Sequence, residues 1–575
     1  MKSLLSKLPS FYLLFRKILN IRSSPTEEEL GRPSCMSRPT DGDCIAWQAY
    51  WKSQKQHWRI EPEIDIKRQE ELTRFRNIVS DIQKGRYPFK EVKLCRADIE
   101  WLLATHNGGR SPVDWSDDTQ QECKGLDLRG ANLFKADLHG LPLSSMLGGM
   151  AIGETVDDEP TQSQCTMAAV ILIGANLRNA HLEGAQLQYA RLEYADFSEA
   201  HMKRADLQGA YLRNANLWGA QAEDTSFICA NLESVNMCGA NLQGSHLDAA
   251  YAKGAFMPGT RLEGATIAEA DLREVNLEFA HLEAMHLVRA DLRGARLAGV
   301  RLEGADLSRG DLRNTEFVKA HLEDADLTQC DVRGANFCGA YLTGANLGEI
   351  CLSDENQVGP RVADVQWSNV DLTTVKWSKV KMLGDERLAR KGKLGDEVKG
   401  IPLFCLNTTL DKYEAAVRAN RQLANSLQAQ GLNEDAACFA YRAKVLQRHV
   451  LWLQMFEHRT KLGQRIQLLG AWMFSWFLFL FAGYGYKMWR SFLSYLIIIL
   501  AFMGLYLLNS YFSTPHLSWD EALVLSMSSF HGRGFFPSNI SLGDTYARLS
   551  VVEAFLGLFV EVTLIATFTQ RFFSK

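Results

Sequence analysis

The sequence predicts a multidomain chain: a β-solenoid with α-helical flanks, followed by an α-helical membrane domain of two spans joined through a loop. Three observations predict it. From Leu172 to Leu352 every fifth residue is apolar, without a break in register. Ser491 to Phe512 runs 22 residues without one charge, and a second apolar stretch, Leu549 to Phe568, follows it. At 575 residues the chain is too long for a single core, so two to four domains are expected.

The central series runs Leu172, Leu177, Leu182, Leu187, Leu192, Phe197, Met202 and on to Phe337, Leu342, Leu347 and Leu352. Two residues before each sits a small side chain, as at Ala175, Ala180, Ala185 and Ala190. Units read Ala-Asn-Leu-Arg-Asn or Ala-Asp-Leu-Ser-Arg. A period of five fits neither a 3.6-residue helix nor a two-residue strand, and fixed self-similarity is the mark of a solenoid. This pattern resembles the pentapeptide-repeat family, whose consensus is A-(D/N)-L-x-x. The resemblance implies a right-handed quadrilateral β-solenoid, one unit per side, with the Leu or Phe stacked inside the coil and the Ala packed inward. The 37 units between 170 and 354 then make about nine coils, roughly 45 Å at one strand spacing per coil.

The solenoid is expected over 126–380. An earlier block, Leu128, Leu133, Leu138 and Leu143, has the same period but a different phase. Residues 144–166 between the two read as a loop insertion. A second break at 353–360 is followed by Val362, Trp367, Leu372 and Trp377 back in register, and 361–380 reads as a cap.

Composition excludes several function classes. Charge is nearly balanced, 63 basic against 67 acidic residues, which speaks against a nucleic-acid partner. Over 171–350 acids lead 25 to 16, an excess too diluted for mimicry of a DNA duplex; a mixed solvated face is the expectation. Twelve scattered cysteines without a C-x-x-C pair suit a reducing compartment. No motif for nucleotide, metal or acyl chemistry stands out, so no enzyme, cofactor or metal is expected. The repeat histidines His181, His201, His246, His281, His286 and His321 fall mostly in outward or corner slots, and no ligand role is expected of them.

Around the solenoid, 1–44 reads as an arm, either amphipathic or disordered, and 45–125 as a helical cap rich in Trp. Its helix is expected from about Asp65 to Lys84, with apolar Ile66, Leu72, Phe75, Ile78 and Ile82. Such a cap would shield the first open edge of the solenoid. Residues 381–465 read as a helical hairpin connector, Tyr413–Gln430 and then a helix from Asn433 towards Leu462. Residues 466–490 are uncharged at first and dense in aromatics, the composition of an interfacial amphipathic helix; the alternative, a third span over 466–486, would need a turn of about four residues and would move the soluble domains outside.

The membrane module is expected over 491–575. Ser491–Phe512 is about 33 Å long as a helix, enough to span a bilayer. Lys487 and Arg490 flank the first span, Arg548 and Arg571 the second; basic flanks before the first and after the second place both ends, and the solenoid, in the cytoplasm of a plasma-membrane protein. Between the spans lie a short helical segment, Trp519–Met527, and Ser528-Ser529-Phe530-His531-Gly532-Arg533-Gly534-Phe535-Phe536-Pro537. Here 491–575 resembles the two-transmembrane pore-loop channel family: span, pore helix, glycine-containing filter, proline, span. The resemblance implies a homotetrameric ion channel with Ser529, Phe530, His531, Gly532, Arg533 and Gly534 at the filter and Gly557 at an inner-helix hinge. Potassium filters carry T-V-G-Y-G, whose carbonyls line the path; here Arg533 stands where Tyr would, so a cation pore without clear potassium selectivity is expected. Arg533 either faces the axis or turns back to pair with Glu553 or Asp520. Gly483-Tyr484-Gly485 copies part of the potassium signature, but it precedes the first span and has no pore helix. Glu553 and Glu561, eight residues apart, share nearly one face of the last span; Glu553 is expected to be paired, and Glu561 to meet a water-filled cavity. The expected partners are membrane lipid, permeant inorganic ions, three further copies of the chain and a cytoplasmic protein on the solenoid. The rival reading is a non-conducting, membrane-anchored scaffold.

Overall fold

The computed structural model describes residues 37–40, 42–106, 112–121, 123–150, 161–391, 408–457, 461–512, 516–532 and 545–573. The expectations for the first 36 residues, for the middle of the 144–166 insertion and for Arg533 and Gly534 lie outside these.

Among the described residues three helices precede the solenoid: α1 (Cys44–Ser53), α2 (Ile66–Arg76) and α3 (Arg96–Thr105). Asp65 caps α2 by accepting the Arg68 N–H at 2.7 Å. The helix expected to reach Lys84 stops at Arg76, because the chain reverses into an antiparallel pair, Asp81 with Arg86, turning through Gly85 at φ 57°. Of its expected apolar stripe, Leu72 is fully buried while Ile66 and Ile78 are exposed. The shielding is literal. Lys93 forms a parallel bridge with Asn132, so the cap adds a backbone rung to the first coil. From α3 the buried Arg96 donates to the His139 carbonyl at 3.0 Å and to Glu100 at 2.7 Å, and Glu100 also accepts the Ile60 and Glu61 N–H groups. A charge pair this deep survives only when its hydrogen bonds are satisfied.

From residue 171 the chain makes parallel bridges between each position and the one four pentapeptides on, such as Ile171 with Arg191 and Asn176 with Asp196, four per coil. Each side is a two-residue turn followed by one bridge residue. The turn leaves the chain in the left-handed region, at Gly174, Asn179, Gly184 and Tyr189 among many others. Gly184 is one place where glycine is required twice over: its φ is 64°, and a Cβ there would stand 2.3 Å from the Trp115 ring, which the cap segment lays on this corner. The Leu, Phe and Met of each unit are buried, with Phe317 and Phe337 stacked at 5.0 Å and 2°. The small residues are buried too. Ala215→Phe should therefore overpack a filled coil, a change that costs about 1–3 kcal/mol. A thermal melt of the purified chain should shift down; an unchanged melt would contradict the inward slot.

The change of phase has a simple geometric origin. Along the main run position i bridges i+20, as His181 bridges His201, whereas Asn132 bridges Ile171 at i+39. The insertion therefore adds the difference, 39 less 20, which is not a multiple of five. It begins later than residue 144, since Leu147 still bridges both Asp127 and Gln186. Its return is a helix, α4 (Gln162–Ala168), capped by Thr161. At the second break Asn336 bridges Arg361 at i+25, so one pentapeptide is added and the register survives.

Beyond the last bridges follow α5 (Gly384–Lys391) and the hairpin α6 (Thr409–Ala429) and α7 (Asn433–Met455). The hairpin closes the open end of the solenoid. Gln430 donates to the Val370 carbonyl at 2.6 Å and accepts from the Leu372 N–H at 2.8 Å. Arg442 reaches the Val380 carbonyl at 3.1 Å, and the buried Trp377 ring packs edge-on against Phe439 at 6.0 Å. Apolar side chains of α6 and α7, including Leu423, Leu427 and Phe439, join the continuous core of the coils.

Candidate functional site

The last four helices form a compact unit: α8 (Leu462–Ala482), α9 (Met488–Phe512), α10 (Trp519–Phe530) and α11 (Thr545–Phe573). Among the described residues two stretches are long and apolar enough to cross a membrane, Trp489–Tyr511 in α9 and Thr545–Ala566 in α11. Between α8 and α9 the chain reverses at Gly483-Tyr484-Gly485, with φ of 52°, 56° and 84°. This triplet is a joint between helices, held by the Tyr484 hydroxyl paired with Ser475 at 2.7 Å.

The short helix α10 lies against both α9 and α11. Its start is fixed by Ser518, which accepts from the Glu521 N–H while Glu521 accepts the Ser518 N–H at 2.9 Å, a reciprocal cap. The preceding Leu517 N–H is tied to Ser510 of α9 at 2.7 Å. Ala522, Leu525, Ser526, Ser529 and Phe530 of α10 are buried among Ile498, Ile499, Phe502 and Tyr506 of α9 and Tyr546 and Val560 of α11.

Polar groups fasten this packing. Glu553 of α11 is completely enclosed; its Oε2 accepts from the Tyr506 hydroxyl at 2.7 Å, and its Oε1 meets the Ser526 hydroxyl. Ser526 Oγ also lies 2.9 Å from the Ile499 carbonyl. One carboxyl group thus touches all three helices. The pairing expected of Glu553 is present, but with Tyr506 and Ser526, and the carboxyl is sealed inside its own chain rather than open to a pore. Gly557, expected as a hinge, is a close-approach point: a Cβ there would stand 2.0 Å from the Phe530 carbonyl oxygen. Glu561, one turn further, is partly exposed and pairs with His531 Nδ1, whose Nε2 lies 3.1 Å from the Tyr495 hydroxyl. His531 ends α10 and Gly532 follows in the left-handed region at φ 66°. Of the expected filter residues, Ser529 and Phe530 are buried and His531 and Gly532 exposed. Tyr506, Ser526 and Tyr495 were not singled out from the sequence. A hydroxyl set inside an otherwise apolar helix was the available signal.

The unit is also fastened to the hairpin. Arg448 of α7 lies over the rings of Trp476 and Phe479 of α8 at 4.1 and 4.3 Å. Arg490 of α9 donates to the Phe479 carbonyl at 3.1 Å, and Phe477 of α8 packs edge-on against Phe559 of α11 at 4.8 Å.

Comparison with known proteins agrees with the repeat. The family described as "Pentapeptide repeats" matches in eight copies, over residues 170–204, 205–244, 245–283, 276–314, 286–324 and 320–354. HetL, a pentapeptide repeat protein involved in heterocyst differentiation regulation from Nostoc sp. strain PCC 7120, is 20% identical. That match covers 48% of this chain and 95% of HetL, with a TM-score of 0.25. Full-length QnrB1, a plasmid-mediated fluoroquinolone resistance protein, is 20% identical over 32% of this chain and 92% of its own, with a TM-score of 0.23. A pentapeptide repeat protein from the cyanobacterium Cyanothece 51142 is 25% identical over 23% of this chain and 91% of its own, with a TM-score of 0.14. No curated protein matches. The long coil is therefore a pentapeptide-repeat solenoid, joined in one chain to helices of which two are long and apolar enough to span a membrane.

Proposed function

We propose that the chain is one subunit of a homotetrameric, cation-conducting membrane pore whose solenoid stands in the cytoplasm as an arm for assembly or partner binding. The observation that carries this reading is α10. Its 12 residues reach about 18 Å, little more than half the hydrocarbon thickness, yet it is capped, buried on one face and wedged between the two span-length helices. A half-length helix folded back between two spans is the arrangement a pore loop needs. An anchor that conducted nothing would have no use for it. Two spans and one loop are too few to enclose a path, so the pore requires several copies, four by the resemblance to pore-loop channels. The hairpin and its Arg448 contact supply a continuous route by which movement of the solenoid would reach α8 and, through Phe477 and Phe559, α11.

Purified protein reconstituted in liposomes should release entrapped cations, and its mass in nanodiscs should be that of four chains. A clean monomer without flux of potassium, sodium or chloride would establish the membrane-anchored scaffold instead.

A further inference from the structure

We propose that His181, Glu183 and His201 form a binding site for a divalent transition-metal ion on the wall of the solenoid. The fold places these three donors. His181 and Glu183 are two residues apart on one side of a coil, and His201 is the bridged partner of His181 one coil on. The two imidazole rings stack at 4.8 Å with 7° between their planes. Donor atoms of the three side chains lie within 4.8 Å of one another. Any such triangle has a point no more than about 2.8 Å from all three corners, and closing to the 2.0–2.1 Å of a metal–imidazole bond takes a shift of less than about 1 Å per donor. Because a metal–nitrogen bond lies in the ring plane, the two stacked rings must also turn about their side-chain bonds so that both lone pairs meet at one ion.

The surroundings favour a cation. Ser144, buried in the first coil, donates to Glu183 Oε2 at 2.8 Å and leaves Oε1, 3.2 Å from His181 Nδ1, for the ion. Hydrogen bonds of this kind orient ligating carboxylates. Among the described residues the ring nitrogens of His201 make no hydrogen bond.

Two related sets on the same side of the coil serve as internal contrasts. Glu263, His281 and Glu283, and Glu303, His321 and Glu323, also cluster. There, however, arginines already hold the place of a cation: Arg261 is 3.3 Å from Glu263, and Arg301 is 3.0 Å from Glu283 and 3.4 Å from Glu303. The first set differs in having two imidazoles and no arginine partner for Glu183 among the described residues. Two nitrogens and one carboxylate select ions such as zinc, cobalt or nickel over calcium and magnesium, which prefer all-oxygen sites.

The full chain, purified in detergent without a histidine tag, is titrated with cobalt(II) and followed by its visible d–d absorption. One equivalent per chain should bind, zinc should displace it, and His201→Gln should weaken binding at least tenfold, while His281→Gln leaves it unchanged. Circular dichroism of both variants shows whether each has folded, and His181→Gln gives a second reading of the same site. No saturable absorption, or absorption that survives both His201→Gln and His181→Gln, would overturn the proposal.

Discussion

Gly557→Ala should dislodge the end of α10 from α11 and melt the C-terminal helical unit well below the wild type. The added methyl would sit 2.0 Å from the Phe530 carbonyl oxygen, 2.9 Å from its carbon and 3.0 Å from the Phe530 ring. Two of those three atoms are backbone at the C-terminal end of α10, so no side-chain rotation relieves the clash. Overpacking costs about 1–3 kcal/mol where side chains give way, and more where a helix must move. Thermal melts in detergent and mass in nanodiscs both read the outcome. A melt indistinguishable from wild type would mean that α10 does not approach α11 this closely. If the pore reading holds, cation flux should fall with the melt, because the segment after His531 depends on where α10 ends.

Glu553→Ala should weaken the same unit by about 2–5 kcal/mol, the sum of a cavity and a lost polar anchor. Removing the carboxyl deprives the Tyr506 hydroxyl of its acceptor and leaves Ser526 only the Ile499 carbonyl. The junction is fully enclosed, so no water replaces a lost partner cheaply. Glu553→Gln retains one oxygen acceptor and the volume, so its loss should be much the smaller. Equal stability of Glu553→Ala and wild type would show that the three-helix junction is not held through this residue.

Much of the solenoid is legible because a coil interior admits only an apolar side chain at each central slot. Leu172 to Leu352 repeats that demand without exception, and the period alone identifies it. Legibility fails where the demand lapses. After Leu143 the next inward slot holds Gly148, pressed between Leu187 and Val170, so the apolar series ends one unit before the coil does. The expected 144–166 boundary follows from that gap. The single pentapeptide added at the second break preserves the count, and Trp367 and Trp377 are recognisable for that reason. In the C-terminal helical unit, the two long apolar helices and the short helix between them are legible from length and charge. The partner of Glu553 is not. Tyr506 lies on the other span, and which faces of α9 and α11 meet depends on a crossing that no local period encodes. The His181–His201 pair is hidden differently: each histidine is visible singly, but their contact emerges only when four pentapeptides are counted as one turn of the coil.

That count has a mechanical meaning. Both insertions leave at a corner and return to the same stack, so neither lengthens the rod. Pentapeptides stacked in register do, by one strand spacing of about 4.8 Å for every four. The distance between the N-terminal cap and the hairpin thus follows the number of in-register pentapeptides, a quarter of a coil each, and four of them add one full increment of reach. The chain between them behaves as a graduated ruler, and corner loops are free to acquire new contacts without altering what it measures.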